Sequence, residues 1–225
     1  MPETWKYKAI LWDFDGTLVS SQDDVWASLA YAAAQFGAAL PEAYAGDPRN
    51  LADPIGAIFR HTVPFPGERN ERQFEDLVAA HYRHLSDYAA TELYPGVRRL
   101  LEELRHDGVP SHIVTVKPKE ALVRILDVKG WGDLFSGWDT PDRDAGEKRS
   151  KALMVAEALD RYRVSARECV LVGDSWSDGE AAHANGIDFV AATYGDGDTD
   201  RLLRQRWTGQ VGHTAELRDH LLERI

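Results

Sequence analysis

Short, nearly unbroken apolar runs alternate along the chain with segments whose apolar residues recur every three to four positions. The runs are Tyr7 to Phe14, "SHIVTV" (Ser111 to Val116), "CVLVGD" (Cys169 to Asp174) and "IDFVAAT" (Ile187 to Thr193). They are short and rich in Val and Ile, as parallel strands covered on both faces should be. Between them, Val97, Leu100, Leu101 and Leu104 repeat at i, i+3, i+4, i+7, with Pro95 ahead and Gly108 behind, the pattern of an amphipathic helix. "KPKEALVRILDVKG" uses the same device, with Pro118 in the first turn and Gly130 as the stop, and "SKALMVAEALDRY" and "WSDGEAAHANG" supply two more helices. Alternating strands and helices predict an α/β fold with a Rossmann-like parallel sheet.

The stretch from Ser20 to Thr91 breaks that alternation. It opens with a helical stripe of Trp26, Leu29, Ala30 and Ala33, with Ser20 or Ser21 as candidate caps. A middle punctuated by Pro and Gly follows, and then a second helical pattern through Phe74, Leu77, Val78, His81, Tyr82 and Leu85. No strand is expected there. The organisation predicted is a core of residues 1–19 and 92–225 with a helical insertion at 20–91, hinged at Leu18 to Ser21 and Glu92 to Pro95.

Composition narrows the partners. The 225 residues are 44% hydrophobic, enough for a substantial core. Net charge is −11, and the 26 Lys and Arg residues are scattered. That disfavours nucleic acid and leaves small anions in a local positive pocket. The single cysteine, Cys169, lies in an apolar strand and reads as a buried thiol in a reducing compartment. No apolar run is long enough to span a bilayer, and "MPETWKYK" lacks a signal-peptide core. The expectation is a cytoplasmic protein without a membrane partner, monomeric or homodimeric.

Chemistry collects at strand ends, where open parallel sheets bind ligands. The first strand ends in Asp13 and Asp15, the second near Thr115 and Lys117, and the third in Asp174, with Asp178 one helical turn on. Taken singly, these have plain readings: an Asx-turn for Asp13 and Asp15, a β-branched strand residue for Thr115, a capped helix start for "GDSWSD". Converged, the carboxylates would repel one another and raise at least one pKa, a conflict that a divalent cation removes. Hard oxygen donors suit Mg2+. "GDGDTD" reads as an acidic turn without the spacing of a calcium loop. The eight histidines show no metal-ligand spacing, and His81 and Trp176 read as packing residues.

"DFDGTL", "VTVKP", a downstream lysine and "GDSWSD", in that order, resemble the four motifs of the haloacid dehalogenase-like hydrolase superfamily. "YPGVRRLLEELRHDGVPSHIVTVKP", "GDLFSGWD", "GIDFVAATYG" and "HTAELRDHL" are similar to its phosphoglycolate phosphatase-like branch, whose helical cap sits where the 20–91 insertion lies. The resemblance implies Asp13 as the nucleophile that forms an aspartyl-phosphate, and Asp15 as the acid and base that moves the proton. It implies Asp13, the Asp15 carbonyl, Asp174 and Asp178 as the metal positions, with Thr115 and a lysine on the phosphoryl group. The count from "LFSGWD" favours Lys148 as that lysine, with Lys151 as the other candidate; Arg149 follows Lys148 where the branch often has Pro. Gly16, Thr115, the Val116 backbone N–H and Arg49 are the further substrate-side positions, Val116 standing where the branch commonly has Asn. Gly16 is expected to turn the chain toward the cap and Thr17 to tie that turn down. The function implied is a Mg2+-dependent phosphatase for a small phosphorylated metabolite. The alternatives are a sugar phosphomutase and a non-catalytic phosphate-binding protein; retention of Asp15 and Asp174 disfavours a dehalogenase.

Overall fold

The computed structural model describes residues 4–45, 50–51, 53–65, 67–142 and 148–222. The chain first lays down β1 (Ala9–Trp12), all four residues of which are buried. It is followed, with other elements between, by β4 (Ser111–Val114), β5 (Gly137–Asp139), β6 (Cys169–Gly173), β7 (Asp188–Ala192) and β8 (Gly209–Val211). These six form one sheet in the order β5-β4-β1-β6-β7-β8, every pair parallel. Ile10 lies opposite Ser111 on one side and Val170 on the other.

Because side chains alternate across a strand, β1 feeds two cores. Ile10 and Trp12 join Leu101 and Leu104 of α5 (Val97–His106), Leu122 and Ile125 of α6 (Lys119–Val128), and Leu217 and Leu221 of α10 (Leu217–Leu221). Ala9 and Leu11 join Met154, Val155 and Ala158 of α7 (Lys151–Tyr162) and Ala181 and Ala182 of α8 (Trp176–Asn185). A short α9 (Thr199–Leu202) adds Leu202 to this second face. Each fully buried aliphatic side chain is worth roughly 1.5–3 kcal/mol, so the sheet is stabilised from both sides.

The four apolar runs of the sequence are the four central strands. The edge strands β5 and β8 escaped that reading. Each has three residues, and "GWD" and "GQV" carry too little apolar pattern to stand out.

Residues 20–91 contribute α1 (Gln22–Gln35), α2 (Glu42–Ala45), α3 (Ile55–Thr62) and α4 (Glu68–Ala80), a helical cap with its own apolar cluster. Leu29, Ala33, Ile58, Phe59, Phe74 and Val78 lie at its centre, with Phe59 and Phe74 ring centroids 5.6 Å apart. The second helical pattern does not continue to Leu85 as one α-helix. It widens after Ala80 into a π-turn, His81–Leu85, which takes Leu85 off the apolar stripe and leaves it 58% exposed. The two crossings between core and cap pair with each other: β2 (Val19–Ser20) and β3 (Glu92–Leu93) run antiparallel, Val19 opposite Leu93. Beside them buried Asp24 accepts from Thr91 Oγ1 at 2.6 Å, tying the first cap helix to the return strand. Among the described residues no helix is long and apolar enough to cross a membrane.

Candidate active site

The sheet order makes β1 the switch point. The chain builds β4 and β5 to one side of it and β6 to β8 to the other, which opens a crevice beyond the carboxyl ends of β1 and β6. Asp13 directly follows β1, its N–H still on the ladder to Val172 O at 2.9 Å. Asp174 directly follows β6. Asp178 lies in the first turn of α8, where its Oδ2 accepts from the Ser175 N–H (2.9 Å) and Ser175 Oγ (2.5 Å) in a capping box. One oxygen from each of Asp13, Asp174 and Asp178 can be chosen so that all three lie within 4.8 Å of one another, and all three residues are buried. A set of three hard carboxylate oxygens so close could hold a metal ion.

Among the described residues one cation enters this cluster. Ser150 caps α7 by accepting from the Leu153 N–H at 3.2 Å, and the next residue, Lys151, sends its Nζ to Asp13 Oδ1 at 2.6 Å and to Asp178 Oδ1. Burial acts to lower the Lys151 pKa, but Asp13 and Asp178 outweigh it and hold the group above its ordinary value. One ammonium does not balance three carboxylates. Burial, reinforced by Asp178 and Asp174, raises Asp13 well above the usual carboxylate range despite Lys151. Burial and Asp178 push Asp174 up to about 6, against the pull of the Gly197 N–H. The excess negative charge is the electrostatic mark of a cation site.

Asp15 faces a different set of partners. Its Oδ1 accepts from Ser21 Oγ at 2.5 Å and from Lys117 Nζ at 2.7 Å, and its Oδ2 from Lys117 Nζ at 3.0 Å. Ser21, a candidate cap on the sequence, stands at the N-cap of α1 but makes no capping bond; its hydroxyl serves Asp15 instead. Thr115 is buried, with its N–H on Asp139 O at 3.2 Å and its Oγ1 accepting from the Lys117 N–H at 3.1 Å. That leaves the Thr115 hydroxyl proton free to donate elsewhere. Val116 beside it is 63% exposed.

Gly16 adopts φ +76°, and a Cβ there would lie 2.1 Å from Asp174 Oδ2, so this turn requires glycine. Thr17 ties it down across the site, donating to Asp174 Oδ1 at 3.3 Å. The acidic turn "GDGDTD" proves to be the other anchor of Asp174. The N–H groups of Asp196 and Gly197 donate to its Oδ2 at 3.0 and 2.9 Å. A Cβ on Gly195 would meet Gly16 O, and one on Gly197 would meet Asp174 O, each at 2.2 Å. Two glycines flanking an aspartate just past a buried strand were the available signal.

Of the two candidate lysines, the structure brings Lys151 to the carboxylates. Lys148 is exposed, its backbone bridged to Asp142. Arg149 between them clamps the approach to α7, donating to Thr140 O through Nε (3.1 Å) and Nη2 (2.6 Å), and through Nη1 to Asp139 Oδ1 (2.9 Å) and Glu157 Oε2 (2.6 Å). Arg49 lies outside the described residues. Cys169 is buried, its thiol pushed up to about 12, the state of an inert strand thiol. His81 stacks on Tyr31, and the Arg201 guanidinium sits 3.5 Å over the Trp176 ring.

A Rossmann-like parallel sheet with a helical cap and a buried Asp–Lys cluster at its switch point defines the class, an α/β hydrolase core with a cap. Residues 10–192 match the family Haloacid dehalogenase-like hydrolase, and the chain belongs to that family, on its phosphoglycolate phosphatase-like branch. A Phosphoglycolate phosphatase of Chromobacterium violaceum is 30% identical over 87% of this chain and 89% of its own length. The Tyrosine-protein kinase PtkA of Mycobacterium tuberculosis is 33% identical over 96% of this chain and 72% of its own. Among solved structures, a Clostridium difficile protein superposes with a TM-score of 0.84 at 21% identity, covering 97% of this chain and 100% of its own. A haloacid dehalogenase-like hydrolase of Streptococcus pneumoniae gives 0.76 at 22%, covering 96% and 98%.

Proposed function

We propose that the protein is a magnesium-dependent phosphatase that hydrolyses a small phosphomonoester through an aspartyl-phosphate. The observation that carries this reading is Lys151, held between Asp13 just past β1 and Asp178 in the first turn of α8. The donor set fits Mg2+: oxygens only, buried, in charge excess over the single ammonium. Asp13 and Asp174 through side-chain oxygens and Asp15 through its carbonyl would hold the ion, with Asp178 supporting the set. When bound, Mg2+ supplies the charge neutralisation that a phosphoryl dianion beside these carboxylates needs.

In the first step an Asp13 oxygen attacks phosphorus, the ester P–O bond breaks, and the departing oxygen takes a proton from Asp15. In the second, water attacks phosphorus and gives its proton to Asp15; the bond to Asp13 breaks and phosphate leaves. Lys151 takes the role of the phosphate lysine that the motif count gave to Lys148, because only an ammonium inside the cluster can follow charge on the transferring group. Thr115 donates its free hydroxyl proton to a phosphoryl oxygen, and the Val116 N–H faces the same group. Residues 20–91 act as the cap domain over the core of residues 1–19 and 92–225.

A panel of small phosphomonoesters assayed with and without Mg2+ tests the reading. Metal-dependent phosphate release should disappear in Asp13→Asn; release that persists there removes Asp13 as nucleophile, and a wild-type chain inert on every ester removes the phosphatase reading. The likeness to a protein named a tyrosine kinase favours one second reading, in which a tyrosine hydroxyl takes the place of water as acceptor. Phosphate transfer from ATP to a tyrosine-containing substrate, lost in the same variant, would support it.

A further inference from the structure

The cap reaches Asp15 from both of its ends. Ser21, at the start of α1, donates to Asp15 Oδ1 at 2.5 Å. Tyr82, in the π-turn that closes the last cap helix, accepts from Lys117 Nζ at 2.5 Å, and Lys117 in turn holds both Asp15 oxygens. We propose that Tyr82 is a cap-borne positioning residue that acts on Asp15 through Lys117, so that seating of the cap aims the group which takes the proton from the attacking water. The inference rests on the reading of Asp15 as the proton-transfer residue.

The geometry points to this in three ways. Lys117 is 6% exposed, and a buried ammonium keeps its place only while its hydrogen-bond acceptors do. Among the described residues its side-chain hydrogen-bond partners are one core carboxylate and one cap phenol, with the core Phe14 ring 5.7 Å away. The phenol is itself fixed: the Tyr82 carbonyl accepts from the Tyr88 hydroxyl, the two rings meet edge to face at 5.5 Å, and Arg124 Nε on the core helix α6 donates to Ser86 O at 3.1 Å. The π-turn is the third feature. A π-turn closes its hydrogen bonds at i→i+5, so it rotates side chains away from where an α-helix would send them, and such turns are frequent at functional sites. Here the displaced residue is the one that meets Lys117. Two donors on Oδ1 and one on Oδ2 present Asp15 as an acceptor, as the water step requires: the water proton moves to Asp15 while oxygen bonds phosphorus and the bond to Asp13 breaks.

Tyr82→Phe tests the proposal, since it removes one oxygen and keeps the ring. In rapid-mixing kinetics with 4-nitrophenyl phosphate and Mg2+, steady-state kcat should fall about tenfold, while first-turnover release of nitrophenolate falls no more than about threefold, so a burst emerges. Lys117→Met should show the same pattern more strongly. Equal losses in both phases with a lowered Tm would mean a packing role only, and no loss in either would remove the relay; both overturn the proposal. Amide exchange over residues 14–21 gives a readout free of turnover: Tyr82→Phe should speed it, and unchanged exchange overturns the proposal even if no ester is hydrolysed. A wild-type chain inert on all esters with accelerated exchange in Tyr82→Phe would break the phosphatase reading and leave the cap–Asp15 coupling standing.

Discussion

Two buried lysines mark two regions of the site, and they are held in different ways. Lys151 starts a core helix, and its partners Asp13, just past β1, and Asp178, in the first turn of α8, belong to the same core. Lys117 follows β4, but its partners divide between core Asp15 and cap Tyr82. Both have pKa values held above the ordinary range by carboxylate partners that outweigh burial, with the Tyr82 hydroxyl adding to the effect at Lys117. The core arrangement draws every partner from strand ends and a helix start of the core. The cap-side arrangement is conditional on two crossings and a π-turn. On the proposed reading, phosphoryl chemistry rests on the core region and its control on the joint.

The comparison breaks most sharply at the lysines. Lys151→Ala should lower kcat on the order of 10³-fold, the scale of losing one main charge stabiliser, whereas Lys148→Ala should stay within about twofold; phosphate-release assays on both variants decide between them. The cap can be weakened by itself. Phe74→Ala at the centre of the cap cluster should cost about 3–5 kcal/mol, read as faster amide exchange across α1, α3 and α4 while β1 and β6 stay protected.

The carboxylate cluster carries a pH signature of defined sign. Asp174 binds its proton more tightly in the fold, at about 6 against an ordinary 3.8. Its contribution is therefore present below the ordinary value and lost as pH rises through about 6. Without metal, this should remove roughly 3 kcal/mol of stability across that window, and Asp13 shifts in the same direction. Added Mg2+ should raise Tm more at about pH 7.5 than at about pH 4.5, because only the ionised cluster binds it; thermal melts at the two values measure this. At the joint, Thr91→Val leaves buried Asp24 short of one donor. It should cost about 1–3 kcal/mol, visible as a lower Tm.

Local pattern carried much of this protein. Buried strands must be apolar on both faces, so the four central strands stood out. A ligand at a parallel sheet collects at strand ends, so Asp13, Asp15, Thr115 and Asp174 could be picked from order alone. Edge strands β5 and β8 were invisible because three residues with one free edge need little apolar pattern. What lay beyond local pattern was convergence. Lys148 and Lys151 differ by three positions, and only the path that Arg149 clamps into α7 decides which ammonium meets Asp13. Gly195 and Gly197 read as a turn until the fold laid them against Asp174. Tyr82 fitted an apolar stripe until the π-turn swung it to Lys117. Which segments become the four central strands, and which carboxylates stand at their ends, follows from local order, since periodicity and strand termini are local properties. Which cation joins which carboxylate, and that the cap meets the Asp15–Lys117 pair, came only with the assembled fold, because Lys117 reaches Asp15 and Lys151 reaches Asp13 across more than a hundred residues of chain.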